Sequence, residues 1–477
     1  MSRYAHSKPP WLRMPPRYML ASLLTAMGGF LLGFDTSTIG PVTVMPSYIA
    51  HFGQHSPSVH GIVVSSILLS AAVTSFIAGR PADVLGRPRA IALGVAVFTV
   101  GVAMQAGATG KGLAMFMVGR VTEGAGFGLY FGTLTVLLVA AAAGVMVVTS
   151  DGGISPPSQR GPLTTGPQWM ICLGLVAGYF TCYGTGTIPG SLSWRLPFVI
   201  LGTISTIFIA AVLVFLPPSP RWLTLRGQQA EADAVWETLG IKPEDRQKIV
   251  NGLEGGEGVV DDSDSTRSPL PVGDLEKEQD AEPRFLDLFK RDVRGRTMFA
   301  VMLMGMLQLS GIDAVLYYAP LLFQHAGLTS SESSFLASGI SGIILVLVSI
   351  PALLFADKWG RRTSTILGGL GLTTTMIVMG SLYASGAVHE SRGAARWVVV
   401  VCIYLYAVFF ATTWAVSIKV YAPEIQPQRT RAKATALAHG CNWVCNFFVA
   451  FICPVLLAKS SFGLYFLFGG CTAVTTV

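Results

Sequence analysis

The sequence predicts an all-α membrane protein with twelve spans in two six-helix halves, of which the twelfth span is incomplete. Of its 477 residues, 51% are hydrophobic and only 12% are charged, whereas a soluble globular chain carries about 25% charged residues. Nearly half of the charges, 29 of 59, fall between Arg221 and Arg296. The remaining sequence contains apolar runs of about 20 residues, the length that crosses a bilayer core. An ordinary soluble enzyme is therefore excluded.

Six apolar runs precede the charged segment and form the predicted N-terminal half, residues 18–216. They extend from Tyr18 to Gly40, Gly61 to Ala78, Ala90 to Ala108, Leu113 to Val148, Trp169 to Ile188 and Leu196 to Leu216. Six more form the predicted C-terminal half, residues 298–477. They extend from Met298 to Phe323, Phe335 to Ala356, Ser364 to Ala387, Trp397 to Val420, Ala434 to Leu457 and Phe462 to Val477. Because the last run has only 16 residues, span 12 is expected to be truncated.

Residues 217–297 are predicted to form a cytoplasmic loop between the halves. Its middle, residues 251–283, is rich in Asp, Glu, Gly, Ser and Pro, a composition that favours disorder. The flanking segments, Gln228 to Leu239 and Phe285 to Phe289, have the apolar spacing of short amphipathic helices.

The distribution of Lys and Arg predicts the orientation. They are concentrated in residues 1–17 and in the short loops after spans 2, 8 and 10, and basic loops are retained in the cytoplasm. Both termini are therefore expected on the cytoplasmic side, and residues 1–17 lack the layout of a cleavable signal. The loop between spans 9 and 10, with Arg392 and Arg396, is the one loop that opposes this orientation.

Charge and cysteine usage exclude several other classes. The net charge of +7 separates into +12 outside the Arg221 to Arg296 segment and −5 within it. Because the basic residues are not clustered with aromatic residues on a polar domain, nucleic acid is not an expected partner. The seven cysteines are not spaced as zinc ligands or a disulfide framework. The sequence shows no Ser/His/Asp arrangement or phosphate loop, so we expect no enzyme, no metal and no cofactor.

A repeated motif relates the two halves. Asp83 is followed by Gly86 and Arg87 after span 2, and Asp357 is followed by Gly360 and Arg361 after span 8. Two related halves around a central site are the architecture of many secondary transporters. The chain resembles the major facilitator superfamily, and within it the sugar porter family in its fungal form. Besides the repeat, the resemblance rests on motifs at Gly29 to Gly40, Gly119-Arg120, Pro217 to Leu223, Gln308 to Pro320, Pro423-Glu424, Arg429 to Lys433 and Asn442 to Phe447.

Three acids, Asp35, Glu123 and Asp313, fall within or at the start of spans, where an ionisable group is costly and is a functional candidate. A carboxylate paired with an arginine can load and release a proton when the pair opens to water. The resemblance implies this proton-coupling role for Asp35 and Arg120. The alternative is that the pair only fixes span 1 against span 4.

A sugar site needs amide donors and acceptors together with aromatic rings, because a sugar carries hydroxyls around a ring with apolar faces. The residues that supply these groups inside spans, with Asp313 added on the resemblance, are Gln168, Gln308, Asn442, Asn446 and Trp443. Each Asn could instead only join helices by hydrogen bonds. The resemblance also implies gating roles, for Tyr317 and Tyr318 on the outer side and for the charged residues Asp83, Arg87, Asp357, Arg361, Glu424 and Arg431 on the cytoplasmic side.

The chain departs from the family in span 10. Trp414 is not followed by the usual Gly-Pro, which removes a point where the helix can break, and Lys419 replaces an aromatic residue. Lys419 could pair with Asp313, attract an anionic sugar acid, or snorkel to the cytoplasm. We expect snorkelling.

Span 4 is also unusual, because 40 residues separate Arg120 from Arg160, more than in the family. Residues 136–153 are therefore predicted to be an insertion. A helix over the whole apolar run to Val148 would be about 54 Å long, so it must break or leave the membrane.

Taken together, the sequence predicts transport of a hexose or related monosaccharide by alternating access, with proton symport. The expected partners are the monosaccharide or a sugar acid, the proton and the lipid bilayer, and the protein is expected to be a monomer in the plasma membrane. A non-transporting sugar sensor or inactive isoform is the alternative. A drug/proton antiporter is third, because the amide set does not suit its more apolar cavity.

Overall fold

The computed structural model describes residues 17–109, 113–142, 157–216, 218, 220–238, 285–328, 330–355, 360–388, 393–427 and 430–476. Every regular element within these ranges is helical. The predicted all-α class is therefore confirmed.

The N-terminal half consists of long apolar helices joined by short ones. In chain order they are α1 (Arg17–Val44), α2 (Pro46–Phe52), α3 (Pro57–Ile77), α4 (Gly79–Leu85), α5 (Arg87–Ala106), α6 (Ala114–Ala142), α7 (Pro157–Gly186) and α8 (Leu192–Phe215).

The start of α3 is typical of a well-formed helix N-terminus. The Ser56 side chain accepts a hydrogen bond from the Val59 amide and Pro57 occupies the first turn, where a missing N–H costs nothing.

Two short helices, α9 (Pro220–Leu225) and α10 (Gln229–Thr238), follow the N-terminal half. A 3₁₀ helix, Phe285–Phe289, precedes the second half. Both helical segments predicted on either side of the acidic stretch are thus present, one as an α-helix and one as a 3₁₀ helix. The acidic stretch itself lies outside the described residues.

The C-terminal half repeats the pattern of long and short helices. In chain order they are α11 (Arg294–Leu309), α12 (Ile312–Tyr317), α13 (Ala319–His325), α14 (Ser331–Phe355), α15 (Arg361–Ala384), α16 (Ala395–Phe409), α17 (Ala415–Glu424), α18 (Arg431–Lys459) and α19 (Gly463–Thr476). Helices α11 to α13 form span 7, and α16 and α17 form span 10.

The described helices are consistent with twelve spans. Eight helical segments are long and apolar enough to cross a bilayer. Helices α1, α6 and α7 have 28, 29 and 30 residues and occupy the positions of spans 1, 4 and 5. Helix α19 has 14 residues and is apolar but shorter than a bilayer crossing requires.

Spans 4 and 5 differ in extent from their predictions. Helix α6 is described to Ala142, and the rest of the apolar run and most of the 136–153 insertion lie outside the described residues. Helix α7 is described from Pro157, twelve residues before the predicted start at Trp169.

Two spans of the C-terminal half are interrupted. In span 7, α11 ends at Leu309 and Gly311 adopts a φ of 87°, a conformation that glycine tolerates at no steric cost. In span 10, Phe410–Trp414 forms a π-helical turn between α16 and α17. The helix continues through Ala415 and Val416, where the family usually has Gly-Pro, and the π turn lies directly before them.

Small residues bring the helices close enough to form one bundle. The backbones of α1 and α7 meet at Gly33 and Gly174, where an added Cβ would overlap the facing chain. The two halves meet where α3 packs against α18, α7 against α14 and α1 against α12. Gln168, Tyr317 and Trp443 are predicted site residues on helices that make these contacts.

Candidate functional site

A buried charged cluster lies inside the N-terminal half. Arg120 Nη1 donates to Asp35 Oδ1 at 2.7 Å and to Glu123 Oε2 at 3.1 Å. Arg120 and Glu123 are completely buried and Asp35 is 1% exposed. The structure thus brings together the predicted pair, Asp35 and Arg120, and adds a second carboxylate.

Close helix packing positions this cluster. Helix α6 lies against α3 at Gly124, where a Cβ would overlap the Ile67 carbonyl. As a result, Arg120 Nη2 reaches the Val64 carbonyl oxygen at 3.0 Å. Helix α5 approaches the Glu123 backbone at Gly101 in the same way. These approaches replace water around the guanidinium with backbone and side-chain acceptors.

Gln105 completes the cluster from α5. Its Nε2 donates to Glu123 Oε2 at 2.6 Å, and the side chain is completely buried. The sequence identified Glu123 as an acid within a span but gave no role to it or to Gln105. The i, i+3 spacing of Arg120 and Glu123 on one helix was the available signal, whereas nothing in the sequence pairs Gln105 with Glu123.

An amide cluster lies between α11 and α18 in the C-terminal half. Gln308 Nε2 donates to Asn442 Oδ1 at 3.2 Å, and Asn442 Nδ2 donates to the Met304 carbonyl oxygen at 2.9 Å. All three amide side chains of the cluster, including Asn446, are buried. Gln308 Oε1 and Asn446 Oδ1 accept no hydrogen bond within the described part of the chain. These two oxygens therefore have unused capacity to accept a hydrogen bond.

Lys419 connects the two halves. Its Nζ donates to Gln168 Oε1 at 3.0 Å, so α17 of one half is joined to α7 of the other. The Asp313 carboxylate is close enough to interact with the Lys419 ammonium electrostatically. The expectation that Lys419 snorkels is wrong, because the neighbouring amide and carboxylate replace the solvation that snorkelling would provide.

The two tryptophans Trp443 and Trp414 have different partners. The Trp443 ring of α18 meets Phe127 and Phe131 of α6 edge to face, with centroid distances of 5.0 and 6.0 Å. Trp414 is buried and donates its Nε1 hydrogen to the Thr365 carbonyl oxygen at 2.9 Å. Trp443 thus lies between the halves, whereas Trp414 packs within its own half.

Tyr317 and Tyr318 are buried where span 7 meets the N-terminal half. Tyr318 donates its hydroxyl to the Ala450 carbonyl oxygen at 2.8 Å and lies 5.5 Å from the His60 ring, centroid to centroid. A Cβ added to Gly40 would overlap the Tyr317 backbone oxygen. This side of the protein is therefore closed by direct packing of α1 on α12.

The predicted cytoplasmic gates are described in part. Asp83 is exposed and Arg87 is half-buried. The α4 segment is held by α9, because Trp222 Nε1 donates to the Asp83 carbonyl oxygen at 2.8 Å. Arg431 Nη2 donates to the Gln426 carbonyl oxygen at 3.3 Å. Asp357 and the side chains of Arg361 and Glu424 lie outside the described part of the structure.

Among the described residues, no three His, Cys, Asp or Glu side chains are grouped as metal ligands. The arrangement offers hydroxyl binding at the amides and proton binding at the carboxylates.

The fold and the site define a multi-pass membrane transporter with the two-half architecture of the major facilitator superfamily. The chain belongs to the family described as "Sugar (and other) transporter", whose sequence profile matches residues 21–477. This family consists of transporters and not of enzymes.

Curated relatives cover most of the chain. The low-affinity glucose transporter HXT1 of Saccharomyces cerevisiae is 28% identical over 467 residues, covering 95% of this chain and 76% of that protein. The galactose transporter of the same yeast is 28% identical over 476 residues, covering 95% and 77%. The high-affinity glucose transporter of Kluyveromyces lactis is 26% identical over 471 residues, covering 95% and 80%.

Solved structures share the fold. The partially occluded inward-open xylose transporter XylE from E. coli has a TM-score of 0.74 and 22% identity, with 96% of each chain covered. A D-xylose-proton symporter has a TM-score of 0.69 and 23% identity, again with 96% of each chain covered. The predicted major facilitator fold and the sugar porter resemblance are confirmed.

Proposed function

We propose that this protein carries a hexose or a related monosaccharide across the membrane by alternating access, together with a proton. The named glucose and galactose transporters among its relatives support the substrate class. The proton symporter among the structures of the same fold supports coupling. The observation that carries the proposal is the pair of buried amide oxygens, on Gln308 and Asn446, that have no donor within the described residues.

The substrate binds between the halves. A buried acceptor without a donor costs about 1–3 kcal/mol, and a sugar hydroxyl removes this cost at Gln308 and Asn446. Gln168 and Asp313 contribute further polar groups, Asn442 orients Gln308, and Trp443 offers a ring. Because Asp313 offsets the charge of Lys419, we favour a neutral monosaccharide over a sugar acid as the substrate.

Asp35 and Arg120 couple the proton. Their 2.7 Å contact is buried, and a buried ion pair holds its charges only while both partners are present. Opening to water on one side lets Asp35 exchange a proton, and closure keeps that proton within the buried cluster around Arg120.

The halves, residues 18–216 and 298–477, rock about this site and are linked by residues 217–297. Tyr317 and Tyr318 close the outer side. The pairs Asp357 with Arg361 and Glu424 with Arg431 close the cytoplasmic side, together with Asp83 and Arg87. The protein works as a monomer in the plasma membrane with both termini in the cytoplasm, and it catalyses no chemical reaction.

Uptake of labelled hexose by yeast cells that lack their own hexose transporters tests this function. We expect saturable uptake that is faster at acidic external pH, and loss of that pH response in Asp35→Asn. Surface expression without any uptake would favour the sensor or inactive isoform. Saturable uptake with the same pH response in Asp35→Asn would contradict the coupling role of Asp35.

A further inference from the structure

The charged cluster contains more negative than positive groups. One guanidinium nitrogen, Arg120 Nη1, contacts both Asp35 and Glu123. Among the described residues, Arg120 is the only cation that acts electrostatically on Glu123. If both acids were ionised, a completely buried site would hold one uncompensated negative charge.

The other groups around the cluster do not supply the missing positive charge. Helix α3 contributes the Val64 carbonyl oxygen and α5 contributes the neutral Gln105 amide. The ionisable groups that face the cluster from α2, α6 and span 7 are the phenols Tyr48, Tyr130, Tyr317 and Tyr318. Phenols are neutral at physiological pH. An isolated buried charge is so costly that a carboxylate in this position takes up a proton instead.

Two oxygen atoms mark where that proton lies. Asp35 Oδ2 and Glu123 Oε1 are buried and have no hydrogen-bond partner in the described structure, while the two carboxyl groups are within hydrogen-bonding range of each other. A neutral carboxylic acid donates one hydrogen bond and a carboxylate accepts it. One proton held between the acids therefore removes the excess charge and supplies a donor that two carboxylates lack.

The hydrogen bonds assign the proton to Glu123. Asp35 makes the shorter contact with Arg120, 2.7 Å against 3.1 Å, which is typical of the ionised partner. Glu123 Oε2 accepts from Gln105, so it serves as the carbonyl oxygen and leaves Oε1 to carry the hydrogen.

We propose that Glu123 is a second proton-binding carboxyl of the transport cycle, sharing one proton with Asp35 at Arg120. In the closed cluster Glu123 is the neutral acid and Asp35 is the carboxylate. When the cluster opens to water, Glu123 releases its proton to water and becomes a carboxylate, and it regains a proton from water on the side with the higher proton concentration. The proposal rests on the proton symport proposed above and adds the residue that stores the proton.

Infrared spectroscopy of the full-length protein in lipid tests the storage site without any sugar. The carbonyl stretch of a neutral carboxylic acid is resolved from that of a carboxylate. We expect Glu123→Gln to lose one neutral-acid band that is present in the wild type. The matched control Thr122→Val, whose hydroxyl bonds only its own helix at Val118, keeps the band. An unchanged set of neutral-acid bands in Glu123→Gln would overturn the proposal.

A second variant tests the same assignment if Glu123→Gln does not fold. Gln105→Leu removes the shorter of the two hydrogen bonds to Glu123 Oε2 and leaves the one from Arg120, so the neutral-acid band moves to a higher frequency. A band at the wild-type frequency in Gln105→Leu would overturn the assignment.

Proteoliposomes test the role in transport. In a coupled symporter each pH unit of gradient drives about tenfold accumulation of sugar, and we expect Glu123→Gln to equilibrate sugar without accumulating it. Thr122→Val accumulates sugar like the wild type. Wild-type accumulation that persists in Glu123→Gln would refute the inference. Absence of transport by the wild type would instead refute the proposed function, and the infrared result would still decide the protonation of Glu123.

Discussion

Replacing Gln308 by Leu tests the proposed sugar site most directly. In the wild type Gln308 Oε1 has no donor within the described chain, and its Nε2 donates to Asn442 at 3.2 Å. The substitution introduces a slightly smaller apolar side chain and removes both polar atoms. It changes binding without removing any charge.

The expected loss follows from one hydrogen bond to the sugar. A neutral hydrogen bond contributes about 1 kcal/mol net, which corresponds to about a fivefold rise in KM. A larger rise is expected if Asn442, deprived of its partner, turns away from the sugar. Protein stability falls separately, because Asn442 Oδ1 loses its donor in the free protein as well.

The assay is initial uptake of labelled hexose over a range of concentrations, repeated with deoxy analogues. The analogue that lacks the hydroxyl bound by Gln308 should lose affinity for the wild type and lose no further affinity for Gln308→Leu, as a double-mutant cycle requires for interacting groups. Leu307→Met is the control, since Leu307 is completely buried and the swap conserves volume. An unchanged KM in Gln308→Leu, or equal losses for every analogue, would refute the reasoning.

Two further substitutions test the contact between the halves. Lys419→Met removes the ammonium that holds Gln168 at 3.0 Å. Because a hydrogen bond to a charged group contributes about 1.5–3 kcal/mol, the KM for hexose should rise by about 10- to 150-fold, with Lys419→Arg closer to the wild type; equal KM values in all three proteins would contradict this role. Gly40→Leu places a side chain against the Tyr317 backbone, so the α1 and α12 contact cannot close. We expect uptake to be lost while sugar binding, measured by calorimetry, remains, and normal uptake would contradict the closure described here.

Helix content and span order could be predicted from the sequence because both depend on local composition. The contact of Asp35 with Arg120 was also predictable, since few ionisable residues occur within spans and the family resemblance pairs these two. The direction of Lys419 was not predictable. The Lys419 ammonium can be solvated by snorkelling to water or by pairing with polar groups inside the protein. Only the position of Gln168 on another helix decides between these two directions.

The neutral acid proposed at Glu123 illustrates a second limit. Its environment is formed by α1, α3, α5 and α6 together, and the close approaches at Gly101 and Gly124 set the distances. Sequence spacing places Glu123 beside Arg120 on one helix but says nothing of the facing helices. The excess of negative charge becomes visible only when all partners are known.

The π turn at Phe410–Trp414 makes the site depend on the number of residues in span 10 as well as on their identity. A π turn contains one residue more than an α turn, and each residue of a helix rotates the following side chains by about 100°. Trp414 faces Thr365 in its own half, whereas Lys419 reaches Gln168 in the other half. Deleting a single residue from the turn would keep Lys419 in the sequence and direct it away from Gln168. Two relatives whose span 10 sequences differ only by this one residue can therefore present different surfaces to a sugar.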